Sequence, residues 1–263
     1  MKTNQLKNNV CDVDVVVYGG TCAGVAAAVQ AARMGKSVAL IHPGKHLGGM
    51  TSGGLGFVDV GNPLAVGGLA REYFHSVWRH YQNEAAWKWE GKREMRGQHS
   101  PLPPENQTMW IVEPSIAENL FDQMVGEPNV VTFRNEWLNR ENGVRLEGER
   151  IVSIAMLSGL VIKAKIFIDA TYEGDLMAAA GVSFTVGREA NSQYNETING
   201  KTPLPAPGAL PDIDPYLMPG DPRSGLLPRI HADGEYEIGA GDRGVQAYNY
   251  RMCLTQVPEN RVA

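Results

Sequence analysis

Residues 13–18 (VDVVVY) form a short β-branched run that passes directly into Gly19-Gly20-Thr21-Cys22-Ala23-Gly24 and then into a small-residue stretch ending near Met34. Strand, glycine turn and helix in that order open a βαβ unit. Gly35 ends the helix, and residues 37–41 (SVALI) form a second apolar strand, so residues 13–42 predict one unit with parallel, buried strands. This excludes an all-helical or all-strand chain. It sets the expected class as α/β, with a Rossmann-like dinucleotide-binding domain built on a parallel sheet.

The turn carries chemistry as well as shape. Gly19 permits the tight bend and Gly24 lets the helix pack on the strand. The free N–H groups at the helix start attract a pyrophosphate, which the helix dipole also favours. Thr21 stands where the G-x-G-x-x-G template has its middle glycine. Its side chain either crowds the phosphate or donates a hydrogen bond to it. At the end of the second strand, where an acid usually accepts from the adenosine ribose, this chain has His42. A neutral imidazole accepts one such bond, and an ordinary strand-end residue is the other reading.

Two later segments share the same character. His46-Leu47-Gly48-Gly49-Met50-Thr51-Ser52-Gly53-Gly54-Leu55-Gly56 is too rich in glycine for a helix or a strand interior. Such a loop either brings bare backbone close to a ligand or lies open on the surface. Residues 166–170 (IFIDA) read as a further buried strand running into Thr171-Tyr172-Glu173-Gly174-Asp175 and a helix over 176–180. Its end, Ala170-Thr171, would lie at the carboxyl edge of a parallel sheet, where ligands bind. Asp169, Glu173 and Asp175 read as caps.

Between these segments the pattern predicts a helix around 69–81 and a polar, aromatic-rich stretch to Trp110, together an insertion over about 62–112. Ser115 with Glu118 makes a capping-box pattern opening the next helix, and residues 129–134 return as a strand. Short apolar pieces at 144–146, 151–156 and 160–163, punctuated by Asn142-Gly143 and Ser158-Gly159, predict an antiparallel β-meander. Prolines at 203, 205, 207, 211, 215, 219, 222 and 228 bar helix or central strand there. Residues 245–255 alternate as a strand. The expected organisation is a flexible tail over 1–11, a dinucleotide-binding domain over 12–182, and a Pro-rich loop with a partial second domain over 183–263.

A net charge of −5 without long charge runs points to neither nucleic acid nor a membrane surface as partner. Cys11, Cys22 and Cys253 are too few and too scattered for a disulfide framework, an iron–sulfur cluster or a zinc site, so no metal is expected. With no apolar leader in MKTNQLKNNV, the expected location is cytoplasmic.

The segments GGTCAGVAAAVQAA, KHLGGMTSGGLG followed by Asp59 and Gly61, and FIDATYEGDLMAAAGV resemble the FAD-dependent oxidoreductase family related in sequence to heterodisulfide reductase. The resemblance covers residues from about 13 onward. It implies a glutathione-reductase-like FAD fold, in which this chain corresponds to an N-terminal portion. By position it implies that Gly19, Gly20, Ala23 and Gly24 meet the pyrophosphate, with Thr21 in the same turn. His42 would take the place of the ribose-binding acid. Gly48, Gly49, Met50 and Thr51 would border the pyrophosphate and flavin, Val131 would lie near the adenine, and Ala170 and Thr171 would line the cofactor cleft. In this family a late Gly-Asp strand closes the sheet, and nothing here matches it. The missing C-terminal portion or a second chain is therefore an expected partner, beside a small-molecule substrate.

The expected reaction is hydride or electron transfer through the flavin. His46, just before the glycine loop, is a candidate for a covalent flavin bond. Arg188 and Arg251 are candidates for holding an anionic substrate, because guanidinium pairs bidentately with carboxylate, and Tyr248 is a candidate donor. A NAD-dependent dehydrogenase on the same βαβ unit is a second reading, and a non-catalytic nucleotide-binding fragment a third.

Overall fold

The computed structural model describes residues 9–92, 103, 106–202, 214–228, 230, 237–245 and 251–261. The chain divides into one compact unit of residues 1–183 with 250–263 and another of residues 184–249.

The first unit is built on the expected βαβ. Strand β1 (Val10–Asp12) precedes β2 (Val15–Tyr18), helix α1 (Cys22–Arg33) and β3 (Val38–His42). Helix α2 (Gly68–His80) lies in the insertion, and α3 (Pro114–Met124) leads into β4 (Val130–Arg134). The meander follows as β5 (Val144–Glu147), β6 (Arg150–Ala155) and β7 (Val161–Lys163). The chain returns through β8 (Ile166–Asp169) to the short helix α4 (Asp175–Ala179).

Four strands form a parallel sheet in the order β4-β3-β2-β8, and four form a mixed sheet in the order β1-β7-β6-β5. Period-two alternation divides the core. Val15, Val17, Val38 and Leu40 face helices α1, α2 and α3, whereas Val16, Tyr18, Ala39 and Ile41 face the meander. The parallel sheet is thus covered on both faces, which is why its central strands read as unbroken apolar runs. Buried Tyr18 fixes the second interface by accepting a hydrogen bond from the Leu138 N–H at 3.0 Å.

Two sequence expectations change. The tail expected over 1–11 is structured by Val10: β1 pairs in parallel with β7, and Cys11 is fully buried. The capping box is also replaced. Glu113 is the N-cap of α3 without a side-chain cap bond, and Pro114 takes the first helical position, where its missing N–H costs nothing. Glu118 instead accepts from His46 and Arg134.

In the second unit, helix α5 (Asn191–Tyr194), a 3-10 turn (Pro222–Ser224) and isolated bridges joining Arg188 to Asp242 and Tyr216 to Leu226 are the regular structure among the described residues. The first part of the Pro-rich segment, Tyr248 and the middle of the strand expected over 245–255 lie outside the described residues. Residues 251–255 carry no regular structure.

Candidate functional site

At the first turn, close packing within the protein accounts for each glycine. Gly19 has φ +110°, and a Cβ on it would stand 2.6 Å from the Ala170 carbonyl carbon. A Cβ on Gly24 would collide with the Gly19 carbonyl oxygen, and one on Gly20 would stand 2.8 Å from the His42 ring.

Thr21 resolves differently from both sequence readings. Its hydroxyl donates to the Ala170 carbonyl at 2.8 Å and accepts from the Gly24 N–H at 3.2 Å, so the side chain caps α1 and ties it to the end of β8. Its one hydroxyl proton is thereby given to protein. With the Gly19 N–H bound to the Ile41 carbonyl and the Gly20 N–H to His42 Nδ1, the N–H groups of Cys22 and Ala23 are left leading the helix. The parallel bridge between Thr21 and Gly48 sets the Cys22 N–H toward the Gly48 carbonyl, and the Ala23 N–H meets no protein acceptor among the described residues. No acidic side chain occupies the first turn, so the positive end of the dipole stays uncompensated there.

His42 is likewise employed within the turn. Its Nδ1 accepts the Gly20 N–H at 3.0 Å, which fixes the neutral tautomer with the proton on Nε2. Burial, reinforced by nearby Arg134, lowers its pKa from the ordinary value. Of the two readings of His42, ribose acceptor and ordinary strand-end residue, the first would need an acceptor other than Nδ1, which the Gly20 N–H occupies.

The glycine loop closes onto this turn. The Gly48 N–H donates to the Gly20 carbonyl at 2.8 Å, and Gly48, with φ +102°, packs against the Phe121 ring. Gly49, with φ +57°, lies under the Tyr172 hydroxyl, which accepts the Met50 N–H at 2.9 Å. At the end of β8, Asp169 accepts from the N–H and hydroxyl of Thr171 and from the Met177 N–H, so it braces the turn into α4.

These pieces enclose one cleft of about 430 Å³, which joins Cys22 and Ala23 at the helix start to Met50 and Thr51 of the glycine loop and to Tyr172 after β8. Leu69, Tyr73 and Phe74 of α2 and Phe121 of α3 form its apolar wall. Tyr73 and Phe121 stack with centroids 4.2 Å apart. No charged side chain is among the described residues that line it.

Of the residues nominated from sequence, Ala23, Met50 and Thr51 line this cleft directly. Gly19, Gly20, Thr21, Gly24, Gly48, Gly49, Ala170 and Thr171 form the packed frame behind it. Val131 packs against the core between sheet and meander. His46 turns to the Glu118 carboxylate at 2.8 Å and does not line the cleft. In the second unit Arg188 makes a bidentate pair with Asp242, whose carboxyl is held down to about 2 by that guanidinium. The anion-holding role read from sequence is thereby filled within the chain. In the first unit the Arg251 carbonyl lies beside Gly54, which brings the segment 251–255 to the glycine loop.

Sequence reasoning missed Cys22 and Tyr172. The first occupies the opening position of the helix and the second follows directly on Ala170-Thr171, so both lay within segments already singled out.

Residues 14–263 match the model of a family described as FAD dependent oxidoreductase. Among solved structures, L-proline dehydrogenase from P. horikoshii is similar over 68% of this chain and 58% of its own, at 16% identity and TM-score 0.44. L-amino acid deaminase from Proteus vulgaris is similar over 72% and 54%, at 14% identity and TM-score 0.45. T. acidophilum thioredoxin reductase is similar over 61% and 35%, at 20% identity and TM-score 0.36. The match spans little more than half the length of the first two. No curated protein matches the sequence.

Proposed function

We propose, from the premise that the chain belongs to the FAD-dependent oxidoreductase family, that it holds FAD along the cleft at the start of α1 and serves hydride or electron transfer to a small-molecule substrate. The observation that carries this reading is the single cleft that joins the helix start, the glycine loop and the end of β8.

The residues present fit such a cofactor. A diphosphate needs donors free of competing carboxylates, and the Cys22 and Ala23 N–H groups supply them at the positive end of a twelve-residue helix. A flat ring system needs apolar walls, which Leu69, Phe74 and Phe121 provide. The cleft volume lies within the range of about 300–1,000 Å³ usual for small-ligand sites. FAD, when bound, supplies the redox chemistry at its ring system. The chain's own contribution is to hold the diphosphate by backbone, exclude water with α2 and α3, and fix the turn geometry through Thr21 and His42.

Family membership favours FAD over a nicotinamide cofactor. The three free cysteines suit a reducing, cytoplasmic compartment, and no helix among the described residues is long and apolar enough to cross a membrane. β8 is an edge strand with Ile166 55% exposed, a site suited to pairing with a further strand of the same or a second chain.

The test is to purify the chain, record its visible spectrum, and titrate it with FAD and with NAD. Retention of FAD is expected and, after the bound flavin is reduced with dithionite, its reoxidation by an artificial electron acceptor. A colourless protein that takes up NAD in preference to FAD contradicts the reading, and bound FAD without turnover favours a purely binding role.

A further inference from the structure

Tyr172 combines three features that its neighbours lack. Its ring lies over Gly49, whose Cα has no room for a side chain because the phenol oxygen occupies that space. Its oxygen already accepts the Met50 N–H at 2.9 Å, so the hydroxyl's remaining capacity is its single proton. That proton meets no protein acceptor among the described residues, and the side chain lines the cleft. Tyr172 is 56% exposed, and the partial burial of its phenol raises the pKa, which keeps that proton in place across the neutral range.

Of the other cleft-lining hydroxyls, Thr51 sits on the glycine loop without a backbone donor bracing its oxygen among the described residues, and Tyr73 is differently engaged. Tyr73 is buried and turns its own hydroxyl to the Ala117 carbonyl at 3.4 Å. Thr21, at the cleft's frame, spends both functions on Ala170 and Gly24. Tyr172 therefore offers a fixed donor at the end of the cleft away from β3 and β4, where the adenosine half of a dinucleotide belongs in a βαβ unit. The opposite half of FAD carries a ring system rich in carbonyl and ring-nitrogen acceptors.

We propose that Tyr172 is a cofactor-positioning residue, braced by Gly49 and Met50, whose hydroxyl donates to an acceptor atom of the isoalloxazine. The inference rests on the flavin reading of the same cleft. It gives Gly49 a specific purpose: the glycine admits the phenol. It also explains why a tyrosine follows Ala170-Thr171, where a smaller residue would serve the turn alone.

The experiment titrates FAD into the full chain, wild type and Tyr172→Phe, reading flavin fluorescence and the dissociation constant together. A phenol in contact with the isoalloxazine quenches its emission by electron transfer, and a phenylalanine ring does not. Wild type is expected to bind FAD with quenched emission. Tyr172→Phe is expected to keep its thermal melt, bind FAD about five- to tenfold more weakly, and recover emission several-fold. Gly49→Ala, which displaces the phenol while leaving it on the chain, is expected to weaken FAD binding and recover emission likewise, with a lower melt from a side chain held at φ +57°. Unchanged emission in Tyr172→Phe overturns the inference, whether or not affinity falls, and leaves the flavin reading standing. Failure of the wild type to bind FAD overturns both.

Discussion

At the scale of single residues, the site depends on side chains that hold the backbone in place and leave only a few groups for the ligand. Thr21 and His42 are both consumed in fixing the first glycine turn, which leaves the proposed diphosphate contact to backbone N–H groups at the start of α1. His42 makes this testable through pH. Burial depresses its folded-state pKa below the ordinary value of 6.5, so above that pH both folded and unfolded chains carry a neutral imidazole and stability is full. As pH falls below 6.5, the unfolded chain takes up the proton first. Stability is then lost progressively toward and through the folded-state value, where Nδ1 can no longer accept the Gly20 N–H. Thermal melts between pH 8 and 5 (a range of about three units around the ordinary value) should fall less steeply in His42→Asn, whose Oδ1 keeps an acceptor in place of Nδ1. Equal slopes in the two proteins contradict this role. None of it was legible in the sequence, because which partner a threonine or histidine satisfies depends on Ala170, 149 residues away from Thr21, and on the facing strand.

At the scale of elements, the sequence was most informative where a period and a boundary signal coincided. The αL glycine at Gly35, the β-branched runs of β2 and β3 and the Ser-Gly turn between β6 and β7 each place an element by local physics, whereas Asn142-Gly143 precedes β5 and the β5–β6 hairpin turns at Gly148-Glu149. The capping box failed because Pro114 starts α3 two residues earlier, with Glu113 in place of Ser115 as N-cap, and a hydrogen bond with His46 and an ion pair with Arg134 claim Glu118. Strand β1 was missed because three residues are too short a pattern to register. Only the parallel partner β7 makes them a strand. The packing of α2 on α3 sets the cleft's wall, and Phe121 is its centre: 3% exposed, stacked on Tyr73 and in contact with Gly48. Phe121→Ala should cost about 3–5 kcal/mol, seen as a lower urea midpoint at unchanged slope. A loss below about 1 kcal/mol would show that the α2–α3 wall does not hold the loop.

At the scale of the molecule, three sequence segments separated by about 150 residues meet around one space because a parallel sheet gathers the carboxyl ends of β2 and β8 at the same edge. Sequence alone supplied the segments and the fold class, and the resemblance supplied the cofactor. It did not reveal that the glycines serve mainly to let the three segments touch one another, or that the cleft is lined by an apolar wall with Tyr172. As proposed above, the amides at Cys22 and Ala23 carry the diphosphate. The most direct measurement of that central claim is the affinity of the full chain for FAD, riboflavin and ADP under one set of conditions. FAD should bind at least about tenfold more tightly than riboflavin, a difference of about 1.4 kcal/mol, and ADP should displace it. Equal binding of FAD and riboflavin, with no displacement by ADP, would place the ligand's anchor elsewhere.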